Sequence, residues 1–94
     1  MKKPKISFRV FGDSGPLSVY FYPGPYGDAV EAQSGDGVGW FSSSSKKLLG
    51  VEFDDVSEKA DSQVLKFKGG WEVEVEVKKG QAAVKLHHPK KKSA

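Results

Sequence analysis

The 94-residue chain has no cysteine, which removes disulfides, thiolate zinc sites and a cysteine nucleophile together. That absence is compatible with any compartment, although small secreted domains are more often stapled by disulfides. No apolar stretch approaches the ~20 residues of a membrane span. The start, Met1-Lys2-Lys3-Pro4-Lys5-Ile6, lacks the apolar centre of a signal peptide. A soluble, cytoplasmic protein without membrane contact is therefore expected. There is no repeat of fixed period, and no aromatic ribonucleoprotein motif or zinc spacing. Gly35-x-Gly37-x-Gly39 lacks the preceding strand and following helix of a dinucleotide loop. Neither a cofactor nor a metal is expected.

The formal charge of +3 divides unevenly. Lys2, Lys3 and Lys5 at one end and Lys90, Lys91 and Lys92 at the other carry six positive charges, whereas residues 6–89 hold nine basic and twelve acidic side chains, a net of −3. The organisation expected is a basic N-terminal tail (1–5), a single β-rich domain (6–88) and a basic C-terminal tail (89–94). A chain of this length buries only about 60–65% of its unfolded surface, so a short set of side chains must form the core. Ile6, Phe8, Val10, Leu17, Val19, Phe21, Trp40, Val51 and Phe53 are candidates, with the valines described next.

Trp71, Val73, Val75 and Val77 alternate with Glu72, Glu74, Glu76 and Lys78, the period of a strand with one dry and one wet face. Ala82, Val84 and Leu86 repeat the pattern after Lys78-Lys79-Gly80-Gln81. A hairpin closed there sets Val77 opposite Ala82, Val75 opposite Val84 and Val73 opposite Leu86. Upstream, Lys68-Gly69-Gly70 reads as a three-residue loop placing Phe67 opposite Trp71 and Leu65 opposite Val73. On the wet face this register brings Lys66 to Glu72, Lys85 to Glu74 and His87 to Glu72. Such cross-strand pairs contribute roughly 0.2–1 kcal/mol each.

The first sixty residues follow the same logic. Residues 6–11 and 17–22 alternate and are joined by Gly12-Asp13-Ser14-Gly15, which predicts Val10 opposite Leu17, Phe8 opposite Val19 and Ile6 opposite Phe21. Pro23-Gly24-Pro25 ends the second strand. Asp28–Gln33 carries a capping-box pair, Asp28 and Glu31, with Gly35 placed as a stop, and predicts a short helix. Trp40-Phe41 reads as a short strand, Ser42–Lys47 as a polar loop and Leu49–Phe53 as a strand. Asp54–Gln63 reads as an irregular connection or a second helical turn capped by Asp55. The sum is a mainly β fold: a small antiparallel β-sandwich or half-open barrel of sequential hairpins, about seven strands, with one or two short helical turns.

The candidate chemistries favour structure over catalysis. Asp54, Asp55, Glu58 and Asp61 do not follow calcium-loop spacing and read as a solvated connection. Glu72, Glu74 and Glu76 face lysines and have no cleft for acid–base work. His87 and His88 are adjacent, so on a strand they point to opposite sides. Ser42 to Ser45 have no histidine base nearby. No catalytic residue is assigned, and the protein is expected not to be an enzyme.

Two binding readings remain. Tyr20 and Tyr22, with Arg9 and Phe11 beside them and Tyr26 and Trp40 close in sequence, form an aromatic group suited to a sugar, a nucleobase or a peptide. Cover by a second sheet or the short helix is the expected fate of that face, since open aromatic patches are uncommon on monomers. The lysine tails offer phosphate contacts, with Lys2, Lys3, Lys5, Lys90, Lys91 and Lys92 as the contacting residues. The leading expectation is a non-catalytic binding or assembly module with a protein partner, contacting through the aromatic sheet face or an open strand edge, where a homo-oligomer could also form. A nucleic-acid accessory protein is the first alternative and a carbohydrate-binding module using Tyr26 and Trp40 the second.

Overall fold

The computed structural model describes residues 3–22, 24 and 26–89. Among these, eight strands follow one another: β1 (Lys5–Phe8), β2 (Ser14–Tyr20), β3 (Ala29–Ser34), β4 (Gly37–Ser42), β5 (Leu48–Ser57), β6 (Ala60–Lys66), β7 (Glu72–Lys78) and β8 (Gln81–His87), with one 3-10 turn at Lys68–Gly70. They form a five-stranded sheet, β1-β2-β5-β4-β3, and a three-stranded sheet, β6-β7-β8. Every pairing is antiparallel, and the two sheets enclose one apolar core in a sandwich-like arrangement. No helix among the described residues is long and apolar enough to cross a membrane.

The smaller sheet follows the alternation seen in the sequence. Val73 pairs with Leu65 and Leu86, Val75 with Val84 and Val77 with Ala82. All three valines are almost fully buried, each adding about 1.5–3 kcal/mol relative to exposure. The β7–β8 turn is tighter than expected in the same register: Lys78 pairs with Gln81. Lys79 and Gly80 occupy the two central positions with φ of 50° and 78°, as a type I′ hairpin requires. The wet-face ladder is partly realised. Lys66 reaches Glu72 at 3.7 Å, while His87, opposite Glu72 in register, extends diagonally to Glu74 at 3.4 Å.

The β1–β2 register differs from the sequence expectation by two residues: Phe8 pairs with Leu17 and Ile6 with Val19. The turn is Gly12-Asp13, closed by a hydrogen bond from Phe11 N to Ser14 O at 2.8 Å. Gly12 has φ of 76°, the first-position requirement of a type II′ turn. A two-residue slip keeps every side chain on its face, so alternation alone does not distinguish the two registers. Ile6, expected in the core, is 37% exposed on the short edge strand.

The helix expected at Asp28–Gln33 is instead strand β3. Ala32 pairs with Gly39 and packs against the core, Val30 pairs with Phe41 but is 56% exposed, and Glu31 and Gln33 alternate to the outer face. Asp28 does not cap a helix. Its carboxylate accepts hydrogen bonds from the Ser43 and Ser44 hydroxyls at 3.1 and 3.4 Å. Across Asp54–Gln63 neither a helical turn nor a long irregular connection forms. β5 runs on to Ser57, turns at Glu58-Lys59 and re-enters as β6 in the other sheet. Extra residues in β5 opposite Gly15/Leu17 and opposite Trp40/Phe41 are β-bulges, which bend a strand and add twist. They reset the facing so that Leu48, Val51, Phe53 and Val56 are all fully buried.

Glycine sets the distance between the sheets at β4. A Cβ on Gly39 would lie 2.7 Å from Phe67 Cζ, and one on Gly37 would lie 2.8 Å from Leu65 Cδ1. The Gly-x-Gly spacing therefore lets two large β6-side residues reach the β4 backbone. This is the role found for the motif that resembles a phosphate loop only superficially.

Candidate functional site

The second sheet packs on the inner face of the five-stranded sheet, and among the described residues neither a sheet nor a helix gives the outer face the cover expected for it. Strand register builds a row across that outer face. Lys5 pairs with Tyr20, Tyr20 with Gly50, Gly50 with Trp40, and Trp40 with Glu31. Adjacent strands lie about 4.8 Å apart, so Tyr20 and Trp40 stand about 10 Å from each other with glycine between them. The Tyr20 ring leans over that glycine: a Cβ on Gly50 would lie 3.2 Å from Tyr20 Cδ1 and 2.9 Å from Val19 O. A neighbouring row runs Ser7, Ser18, Glu52, Val38, Gln33. Its polar groups are already oriented, with Ser18 donating to Glu52 at 3.0 Å and Gln33 donating to Glu31 of the first row at 3.0 Å.

Tyr26 closes one end of the face. Its ring centroid lies 6.3 Å from that of Tyr20 at an interplanar angle of 48°. Its hydroxyl donates to the carbonyls of Tyr22 and Leu49. Burial holds the Tyr26 phenol above its ordinary pKa, and repulsion from a Tyr20 phenolate adds to the rise. Tyr20, Tyr26 and Trp40 are half-buried, and Tyr22 is 41% exposed just beyond β2.

Arg9, whose N donates to Pro16 O at 3.0 Å, lies opposite a residue four positions from Tyr20 along β2, and Phe11 is farther still. Phe11 bridges Ser14 at the far end of β2, six residues from Tyr20 and hence about 20 Å away, and is 71% exposed at the turn. Trp40, also expected in the core, stands on the outer face. Of the tail lysines, Lys3 and Lys5 fall within the described residues and Lys5 joins the aromatic row. Lys2, Lys90, Lys91 and Lys92 lie outside them, as do Pro23 and Pro25.

The acidic cluster is divided among structural tasks. Asp61 accepts hydrogen bonds from Ser57 N at 2.9 Å, Ser62 N at 2.8 Å and the Gln63 amide at 2.9 Å. The Ser57 hydrogen bond is the largest cause holding its carboxyl below the usual range. Asp54 and Asp55 are exposed in the bulge. No group of three or more His, Asp or Glu side chains placed to hold a metal occurs among the described residues.

A second concavity lies on the inner side, at one end of the sandwich. Ala32, Phe41, Gly69 and Trp71 line an open groove of 360 Å³, with Lys46 and Lys68 also on its lining. Phe41 meets Phe67 and Trp71 edge-to-face at 5.7 and 6.1 Å, and His88 packs against Trp71 at 5.2 Å. The sequence joins Phe67, Lys68, Gly69 and Trp71 at one hairpin but carries no sign that Ala32, Phe41 and Lys46 meet them. Residues 42–47 and 68–70 are far apart in the chain and meet only once the sheets stack.

The chain matches no protein-family model, no curated protein and no solved structure.

Proposed function

We propose that this protein is a non-catalytic binding module whose contact surface is the outer face of the five-stranded sheet, centred on Tyr20 and Trp40 and bounded by Tyr26. The carrying observation is the row Lys5-Tyr20-Gly50-Trp40-Glu31. It sets two large aromatic side chains on rigid strands, with the Tyr20 ring lying over the glycine between them and a charge of each sign at the ends. Tyrosine and tryptophan dominate protein contact surfaces because they offer large, stiff, amphipathic area. A protein partner is the primary reading. The paired polar groups Ser18/Glu52 and Gln33/Glu31 beside the rings favour a carbohydrate as the second, since sugars combine apolar faces with many hydroxyls.

The test compares wild type with Tyr20→Ala and Trp40→Ala in a pull-down from native extract and in amide-spectrum titrations with soluble glucans. Each variant is expected to lose binding while losing no more than about 1 kcal/mol of stability. Retained binding in both variants, or collapse of the fold in both, defeats the proposal. Shifts of the Trp40 indole by a glucan at unchanged protein pull-down select the carbohydrate reading.

A further inference from the structure

We infer that the groove between the Ser42–Lys47 loop and the Lys68–Gly70 turn binds a small aromatic anion, an aryl carboxylate or aryl phosphate, independently of the outer sheet face. Its volume, 360 Å³, falls in the range of about 300–1,000 Å³ typical of small-molecule sites. The floor is apolar, made by Ala32, Phe41 and Trp71. Aromatic edges and faces there offer offset or edge-on contacts to a planar ring.

Charge supplies the other half. Lys46 and Lys68 line the groove, and neither has a carboxylate within ion-pair distance among the described residues, where the ion pairs involve Lys66, Lys78 and His87. An apolar floor beside two uncompensated ammonium groups suits a ligand with an aromatic body and a negative head, and disfavours a cation.

The backbone at Lys46 is an independent observation. Its φ of 64° is uncommon for a residue with a Cβ. As at Lys79, the loop's own hydrogen bonds impose this conformation, so it fixes the course of the backbone beside the groove. The surroundings here are well defined. Lys46 N donates to Ser42 O at 2.9 Å, Ser42 N donates to Lys47 O at 2.9 Å, and the Ser45 amide donates to the Ser42 hydroxyl at 3.1 Å. Ser43 and Ser44 anchor the loop to Asp28. The loop backbone that carries Lys46 is thus ordered before any ligand arrives, which lowers that part of the ordering cost of binding.

The experiment is a titration of the ¹⁵N-labelled protein with 2-naphthoate, 2-naphthyl phosphate and the neutral 2-naphthamide. Saturable shifts are expected at the Trp71 indole and the Gly69 amide and not at the Trp40 indole. Each anion should bind about tenfold more tightly than the amide, the effect of one charge-assisted contact. The double variant Lys46→Met/Lys68→Met should abolish that preference while keeping a dispersed spectrum. Equal affinity of wild type for naphthoate and naphthamide overturns the inference even if the variant fails to fold. So do shifts centred on Trp40, or an unchanged anion preference in a folded double variant. The phosphate-to-carboxylate ratio identifies the head group.

Discussion

Replacing Gly39 by alanine probes the contact that sets the spacing of the two sheets. The new methyl would sit 2.7 and 2.9 Å from the Cζ and Cε1 atoms of Phe67 and 3.2 Å from Leu48 Cδ1, the first two inside any normal carbon–carbon separation. Phe67 is 8% exposed and Leu48 fully buried, so neither has open space into which to retreat. Forcing a methylene-sized group into such a core costs typically about 1–3 kcal/mol. For a domain of this size that lowers the melting temperature by about 4–8 °C per kcal/mol. Urea denaturation followed by tryptophan fluorescence measures the loss. Gly35→Ala is the matched control: a Cβ there meets nothing within 4 Å and φ is not positive, so it should be neutral or stabilising by up to about 1 kcal/mol through the unfolded chain. Shrinking the opposing side chain should relieve the clash. Gly39→Ala/Phe67→Leu is expected to lose less than the two single changes summed, by on the order of 1 kcal/mol. A Gly39→Ala protein as stable as wild type, or strictly additive losses in the pair, would falsify the close approach of β6 to β4.

Further outcomes follow from single residues. Asp61 has a folded pKa below its unfolded value of 3.8; its contribution is thus complete above that value and lost as pH falls through the folded one. Asp61→Asn should flatten the acid limb of the stability–pH curve below pH 3.8, and an unchanged limb counts against the hydrogen-bonded carboxylate. Tyr26 runs the other way: its phenol stays protonated in the fold above 10.0 while the unfolded chain ionises first, so stability falls as pH rises past that point. Absorbance at 295 nm should show one late-titrating tyrosine, absent in Tyr26→Phe. Lys46→Gly should be neutral or stabilising by up to about 1 kcal/mol because it releases a left-handed backbone. Lys47→Gly, with no positive φ to relieve, should cost about 0.5–1 kcal/mol; equal thermal shifts for the two would show that Lys46 carries no strain.

Much of the smaller sheet was legible because its signal is redundant. Apolar alternation in Trp71–Leu86, turn glycines and opposite charges across the wet face all select one register, and Lys66 meets Glu72 accordingly. At β1–β2 only alternation was available, and a slip of two residues leaves it unchanged, so the turn chemistry of Gly12 decided. Asp28–Gln33 misled because a capping pair is a local signal, whereas pairing with β4 buries Ala32 and satisfies a whole ladder of backbone groups. The aromatic site was half legible. Tyr20, Tyr26 and Trp40 share one region, but Phe11 was separated from them by the length of β2 and Arg9 by four of its residues.

Amino-acid order by itself determined the strand-rich class, the inward valines of β7 and the outward acids, because period-2 patterning acts between near neighbours and requires nothing from the rest of the molecule. Stacking of the sheets decided which face the second sheet covers, that Gly37 and Gly39 serve close packing, and that Lys46 and Lys68 border one groove beside Trp71. Those outcomes depend on how strands distant in sequence meet, which β5 settles by bulging twice and crossing from one sheet to the other, and no local pattern encodes that crossing.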